Sequence, residues 1–137
     1  MDMNLLDRSN YFRGLLLLTA KDNNISQPER DILLQIGTDL GFAKDFCEKA
    51  LNELPFNEYI VDRPPVFSNR EVAEVFLIEG LKIAFADKNL HVFELKWLLK
   101  TADLNNIDRE WVMDRVVSFI ESENAEVDLG NQEILAS

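Results

Sequence analysis

One short acidic pattern occurs twice in this chain at a fixed offset, as Asp22-Asn23-Asn24-Ile25-Ser26-Gln27-Pro28-Glu29 and as Asp87-Lys88-Asn89-Leu90-His91-Val92-Phe93-Glu94. Each copy has an Asp, an Asn two positions on, an aliphatic residue three on and a Glu seven on. Long apolar stretches flank both. Such a recurrence constrains the fold strongly, because each copy is one supersecondary unit whose apolar faces must be covered by a neighbour. The unit reads as helix, acidic loop, helix, and the chain as two such halves joined in one bundle.

The flanking stretches have helical rather than strand character. Leu5 to Ala20 is apolar over most of its circumference, which predicts a helix buried on several sides. Ser26 and Glu29 have the spacing of a capping box and Pro28 suits a first turn, so a second helix starts there, turns Ile32, Leu33, Ile36 and Leu40 inward and stops at Gly41. A third, from about Lys44 to Leu54, places Phe46, Ala50 and Leu54 on one buried face before Pro55 ends it. Residues 55–68 hold three of the four prolines and form the connector between the halves.

Ser68 and Glu71 predict another capping box, opening a nearly all-apolar helix that runs to about Ala86. Beyond the second acidic loop, helices follow over about Val92 to Leu104 and from the cap Asp108 to about Glu121. No stretch alternates apolar and polar residues as a half-buried strand does. The expected fold is all-α: a single-domain bundle of six to seven helices, with repeat 1 over about 5–54, repeat 2 over about 69–122, and an acidic tail at 123–137, either extended or a short docking helix.

Composition narrows the function. At 137 residues and 47% hydrophobic, the chain can build one compact core. Its net charge of −11, from 25 acidic and 14 basic residues, repels phosphate backbones and excludes nucleic acid as the natural partner. A single cysteine, Cys47, permits no intrachain disulfide and fits a reducing compartment, so a cytoplasmic location is expected. The amino terminus lacks the basic region of an export signal, and no apolar run approaches the ~20 residues of a membrane span.

The acidic loops hold the candidate site. Asp22, Glu29, Asp87 and Glu94, with Asn24, Asn89 and His91 as accessory groups, are donors of the kind that hard divalent cations such as Ca²⁺ or Mg²⁺ take, and His91 admits Zn²⁺. An EF-hand is excluded, because its Glu belongs at the twelfth loop position and a Gly at the sixth, where Gln27 and Val92 stand here. The competing role is architectural: each Asp takes amides of its own turn, and each Glu, like His91, caps the helix that follows. Glu79 is expected to face solvent, with Lys82 as the alternative partner. Phe93, Trp97 and Trp111 are expected in the core. One histidine and five scattered glycines offer neither a catalytic triad nor a phosphate-cradling loop.

The two segments from Ala20 to Glu29 and from Phe85 to Glu94 resemble the duplicated Ala-Asp-Gly-x-aliphatic-x-x-x-Glu signature of the TerB-like family, whose members include tellurite-resistance proteins and the amino-terminal domain of a membrane-anchored DnaJ-type co-chaperone. The resemblance spans about residues 12–122. It implies an all-helical domain of two related halves and an acidic cluster with Asp22, Glu29, Asp87 and Glu94 at the motif positions. It further implies a non-enzymatic role in stress response or assembly with a membrane-associated protein partner, as monomer or homodimer. The alternative function is a metal-dependent enzyme using the same carboxylates. Where the family has Gly after the Asp, this chain has Asn23 and Lys88; Lys adopts left-handed backbone less readily than Gly or Asn, so the second loop is expected to differ in shape.

Overall fold

Capping side chains open the two helices that form the centre of the fold. In the computed structural model, which describes residues 3–22, 25–53 and 63–128, the Asn4 side chain accepts the amide of Asp7 at 2.7 Å and opens α1 (Leu5–Thr19). The Asn69 side chain accepts the amide of Val72 at 3.0 Å and opens α4 (Arg70–Ala84). A short 3-10 turn, Ala20–Asp22, follows α1 and leads to α2 (Gln27–Asp39) and α3 (Lys44–Glu53). After α4 come β1 (Asn89–His91), α5 (Val92–Leu104), α6 (Arg109–Glu123) and β2 (Glu126–Asp128). The architecture is all-α apart from β1 and β2, which pair in parallel with Leu90 opposite Val127.

Element boundaries in the two triplets of helices recur at one constant spacing. The same interval separates the N-caps Asn4 and Asn69, the N-caps Ser26 and His91, and the first residues of α3 and α6. It also separates Gly41 (φ +96°) from Asn106 (φ +59°), the left-handed residues that end α2 and α5. Each is closed by an equivalent return bond, Phe42 N to Gly37 O at 3.0 Å and Ile107 N to Ala102 O at 2.9 Å.

Helices α1 and α4 cross at the centre. Tyr11, Leu15 and Leu18 of α1 and Phe76, Leu77, Leu81 and Ile83 of α4 are fully buried. The approach is close at Gly14, where a Cβ would meet the Phe76 ring and Pro65 at 2.8 Å. Helix α1 also packs against α2 and α5, and α4 against α5 and α2. The described end of the connector belongs to this core, with Pro64, Pro65 and Phe67 buried.

Several expectations change in detail. The box at Ser68 and Glu71 does not form, because Asn69 is the cap; Ser68 instead donates its amide to Asp7 Oδ1 at 3.0 Å and its hydroxyl to Asp7 Oδ2. On α3 the buried residues are Cys47 and Leu51, whereas Phe46 is 54% exposed and Leu54 lies outside the described residues. The tail begins as structure: Asn124 takes a left-handed turn (φ 52°), Ala125 is buried, and β2 follows. Three residues are too few to show strand alternation in a sequence, so this pairing left no periodic signal. Residues 129–137, where a docking helix was one expectation, lie outside the described residues.

Candidate functional site

The first acidic loop closes α1 onto α2. The backbone of Asp22 ends the 3-10 turn, while its side chain and Asn24 lie outside the described residues. Glu29, only 2% exposed, completes the expected capping box: it accepts the Ser26 amide at 3.0 Å, and Ser26 Oγ accepts the Glu29 amide at 3.2 Å. The carboxylate thus sits at the positive end of the α2 macrodipole and occupies an amide that the helix cannot satisfy itself.

The second loop solves the same problem with different residues. Asp87 is exposed, and its Oδ1 accepts the Asn89 amide at 3.0 Å, a local Asx turn. His91 caps α5 in the place held by Ser26 in the first copy, with Nδ1 accepting the Phe93 amide at 3.3 Å. That bond requires an unprotonated Nδ1. Glu94, 1% exposed, accepts the His91 amide at 3.1 Å. The side chain of Asn89 is exposed, and the Phe93 ring is 45% exposed beside the His91 ring, 5.0 Å between centroids, rather than in the core. Trp97 is buried as expected, and Trp111 is half-buried beneath the guanidinium of Arg115 at 3.7 Å.

Lys88 adopts the left-handed conformation, φ +67°, at the position where the TerB-like pattern has glycine, while its counterpart Asn23 lies outside the described residues. The strain, on the order of 1 kcal/mol, is offset by the contacts it creates. Lys88 donates its amide to Phe85 O at 2.8 Å, its carbonyl accepts the Glu126 amide at 2.9 Å, and its ammonium lies 2.9 Å from Glu123 Oε2. The second loop is therefore fastened to the start of the tail.

The two loops are linked through α5, which packs against the 3-10 turn of the first loop. The Lys21 ammonium sits 6.0 Å from the centre of the Trp97 ring. Among the described residues no group of three or more His, Cys, Asp or Glu side chains is placed to hold a metal ion. Glu29, Asp87 and Glu94 instead hold the backbone of their own loops, and His91 does the same. Chemically, the described arrangement fixes two helix starts and exposes one carboxylate, Asp87.

Further polar groups do structural work that sequence reasoning placed elsewhere or missed. Glu79 does not simply face solvent: half-buried, it accepts a short hydrogen bond from the hydroxyl of the buried Tyr11. Burial, that bond and the charge of Glu79 push the Tyr11 hydroxyl far above the usual tyrosine range. Asp7, 3% exposed, anchors the connector through Ser68. The one hint of the Tyr11–Glu79 bond was an acid set directly after the apolar run Val75–Ile78. Burial raises the Cys47 thiol above its ordinary range and leaves it a packing residue rather than a nucleophile. No helix of the described residues is long and apolar enough to cross a membrane. Family models, curated proteins and solved structures were compared with the chain, and none matches.

Proposed function

We propose that this chain is a duplicated, TerB-like helical module with no enzymatic role, which presents an acidic surface to a protein partner in the cytoplasm. The observation that carries the proposal is the constant spacing of caps, left-handed residues and helix starts between the two halves. The packing supports it too, since exchanging the halves maps three helix contacts on three others: α1 with α2 on α4 with α5, α2 with α3 on α5 with α6, and α1 with α5 on α4 with α2. Duplication of one helix–loop–helix unit explains both, and the TerB-like signature falls at the two loops. A role in stress response or membrane-associated assembly follows from that resemblance, with a divalent cation at Asp22, Glu29, Asp87 and Glu94 as its metal-dependent form.

Crosslinking and affinity purification from native cells test the module, and the absence of a stable protein partner would overturn it. The metal-dependent form is tested by thermal melting in EDTA and then with Ca²⁺, Mg²⁺ or Zn²⁺. An ion that binds only the native state at a hundred times its Kd stabilises by about 2.7 kcal/mol. A rise in melting temperature that disappears in the double variant Asp22→Asn, Asp87→Asn places a cation in the loops. No rise at millimolar metal removes the cation, and with it the alternative of a metal-dependent enzyme.

A further inference from the structure

The outward face of α6 carries two side-by-side stripes. Met113, Val117 and Ile120 follow one line along the helix, with Met113 38% and Val117 49% exposed and Ile120 half-buried. Glu110, Asp114 and Glu121 run beside them, all exposed. No hydrogen bond or ion pair among the described residues engages these three carboxylates. The two basic residues of α6 are held elsewhere: Arg109 pairs with Asp103 at 2.8 Å, and Arg115 lies over the Trp111 ring. Glu123, farther along, is occupied by Lys88.

The geometry points to this face as a docking surface for a basic amphipathic helix of a partner protein. Charge selects that occupant over the others. The chain's own residues 129–137 contain Glu133 and no Lys or Arg, so they are repelled by the acidic stripe. A second copy with net charge −11 would bring the same carboxylates against one another, and anionic lipid surfaces and nucleic acids carry the same sign. A helix with lysine or arginine flanking an apolar line matches both stripes, and the unbranched, polarisable Met113 adapts its shape to such a partner. The inference rests on the proposal that the chain is a partner-binding scaffold and names the face and the chemistry.

The test titrates the isotopically labelled full chain with a synthetic amphipathic helix of leucine and lysine, and in parallel with its leucine and glutamate counterpart, and follows backbone amide signals. The expected result is that shifts from the lysine peptide cluster on residues 110–121 and the glutamate peptide is silent. Replacing Met113 and Val117 together by Ser weakens binding about tenfold, the loss expected for two partly exposed apolar side chains. Glu110→Gln with Asp114→Asn and Glu121→Gln flattens the salt dependence. All five positions are exposed, and circular dichroism verifies that the variants keep the fold. Shifts scattered over the acidic surface, centred elsewhere or absent, or a serine variant that binds like the parent, would overturn the inference. A silent titration leaves the crosslinking and metal tests of the scaffold standing, so the two failures are distinguishable.

Discussion

Replacing the two capping glutamates by Gln and by Ala separates an architectural role from a ligand-binding one. Ala at position 29 or 94 removes the bond to the Ser26 or His91 amide, which costs about 1 kcal/mol. It also removes a negative charge from the helix start, worth about 0.5 kcal/mol. Both side chains are almost fully buried, so truncation further leaves a partly collapsed hole costing about 1 kcal/mol more. The expected loss is thus roughly 2–3 kcal/mol per site. In a chain of this size each kcal/mol moves the melting temperature by about 3–5 °C, so each Ala variant melts roughly 10 °C lower. Gln retains a carbonyl acceptor and nearly all the volume and loses only the charge, so its melting temperature falls by about 2 °C. Thermal denaturation followed by circular dichroism in EDTA provides the comparison. If Gln costs as much as Ala, the charge holds something other than the amide and the architectural account is wrong; if Ala costs under 1 kcal/mol, the capping box contributes little.

Three further outcomes are expected. Gly37→Ala overpacks the core, because the new Cβ would press on the Cys47 sulfur and come 2.9 Å from the Phe12 ring; it should cost about 1–3 kcal/mol, and adding Cys47→Ala should recover part of that in chemical denaturation. Tyr11→Phe removes the donor to Glu79 and should cost about 1–2 kcal/mol at neutral pH. Because the folded state raises the Tyr11 pKa, the parent keeps that stability below the ordinary tyrosine range and loses it as pH climbs above about 10, so urea midpoints of parent and variant should converge at alkaline pH. Lys88→Gly relieves the left-handed backbone but frees the unfolded chain and gives up an exposed ion pair, so thermal melting should change by less than about 0.5 kcal/mol; a loss above about 1 kcal/mol would show that the Glu123 contact outweighs the strain.

The sequence disclosed most where local chemistry decides structure. Helix α2 began at Ser26 because the hydroxyl, Glu29 and Pro28 each favour that start independently of the rest of the chain. His91 was readable as a cap because it stands where Ser26 stands in the first copy. Ser68 misled for a related reason: its spacing to Glu71 fits a box, but a buried Asp7 from α1 takes its amide and hydroxyl, and neighbouring Asn69 is left to cap. The face of α3 failed similarly, since two sets of residues on it satisfy helical periodicity and only the position of α2 selects Cys47 and Leu51 over Phe46. The bond between Tyr11 and Glu79 joins residues far apart in sequence, which periodicity does not relate. At the candidate site, the residue types were legible, and their use in holding the backbone became visible only with the coordinates.

The fastening of Lys88 by Glu123 and Glu126 has a consequence for the order of events on the ribosome. The loop after α4 emerges well before the residues that clamp it, so it must wait, unclamped, until the following two helices and the first turn beyond them have been synthesised. The loop after α1 meets its Ser26 and Glu29 partners within a few peptide bonds of itself. Both bends thus take their caps from nearby residues as they emerge, and the one after α4 gains its last fastenings only when α6 and the turn beyond it have followed.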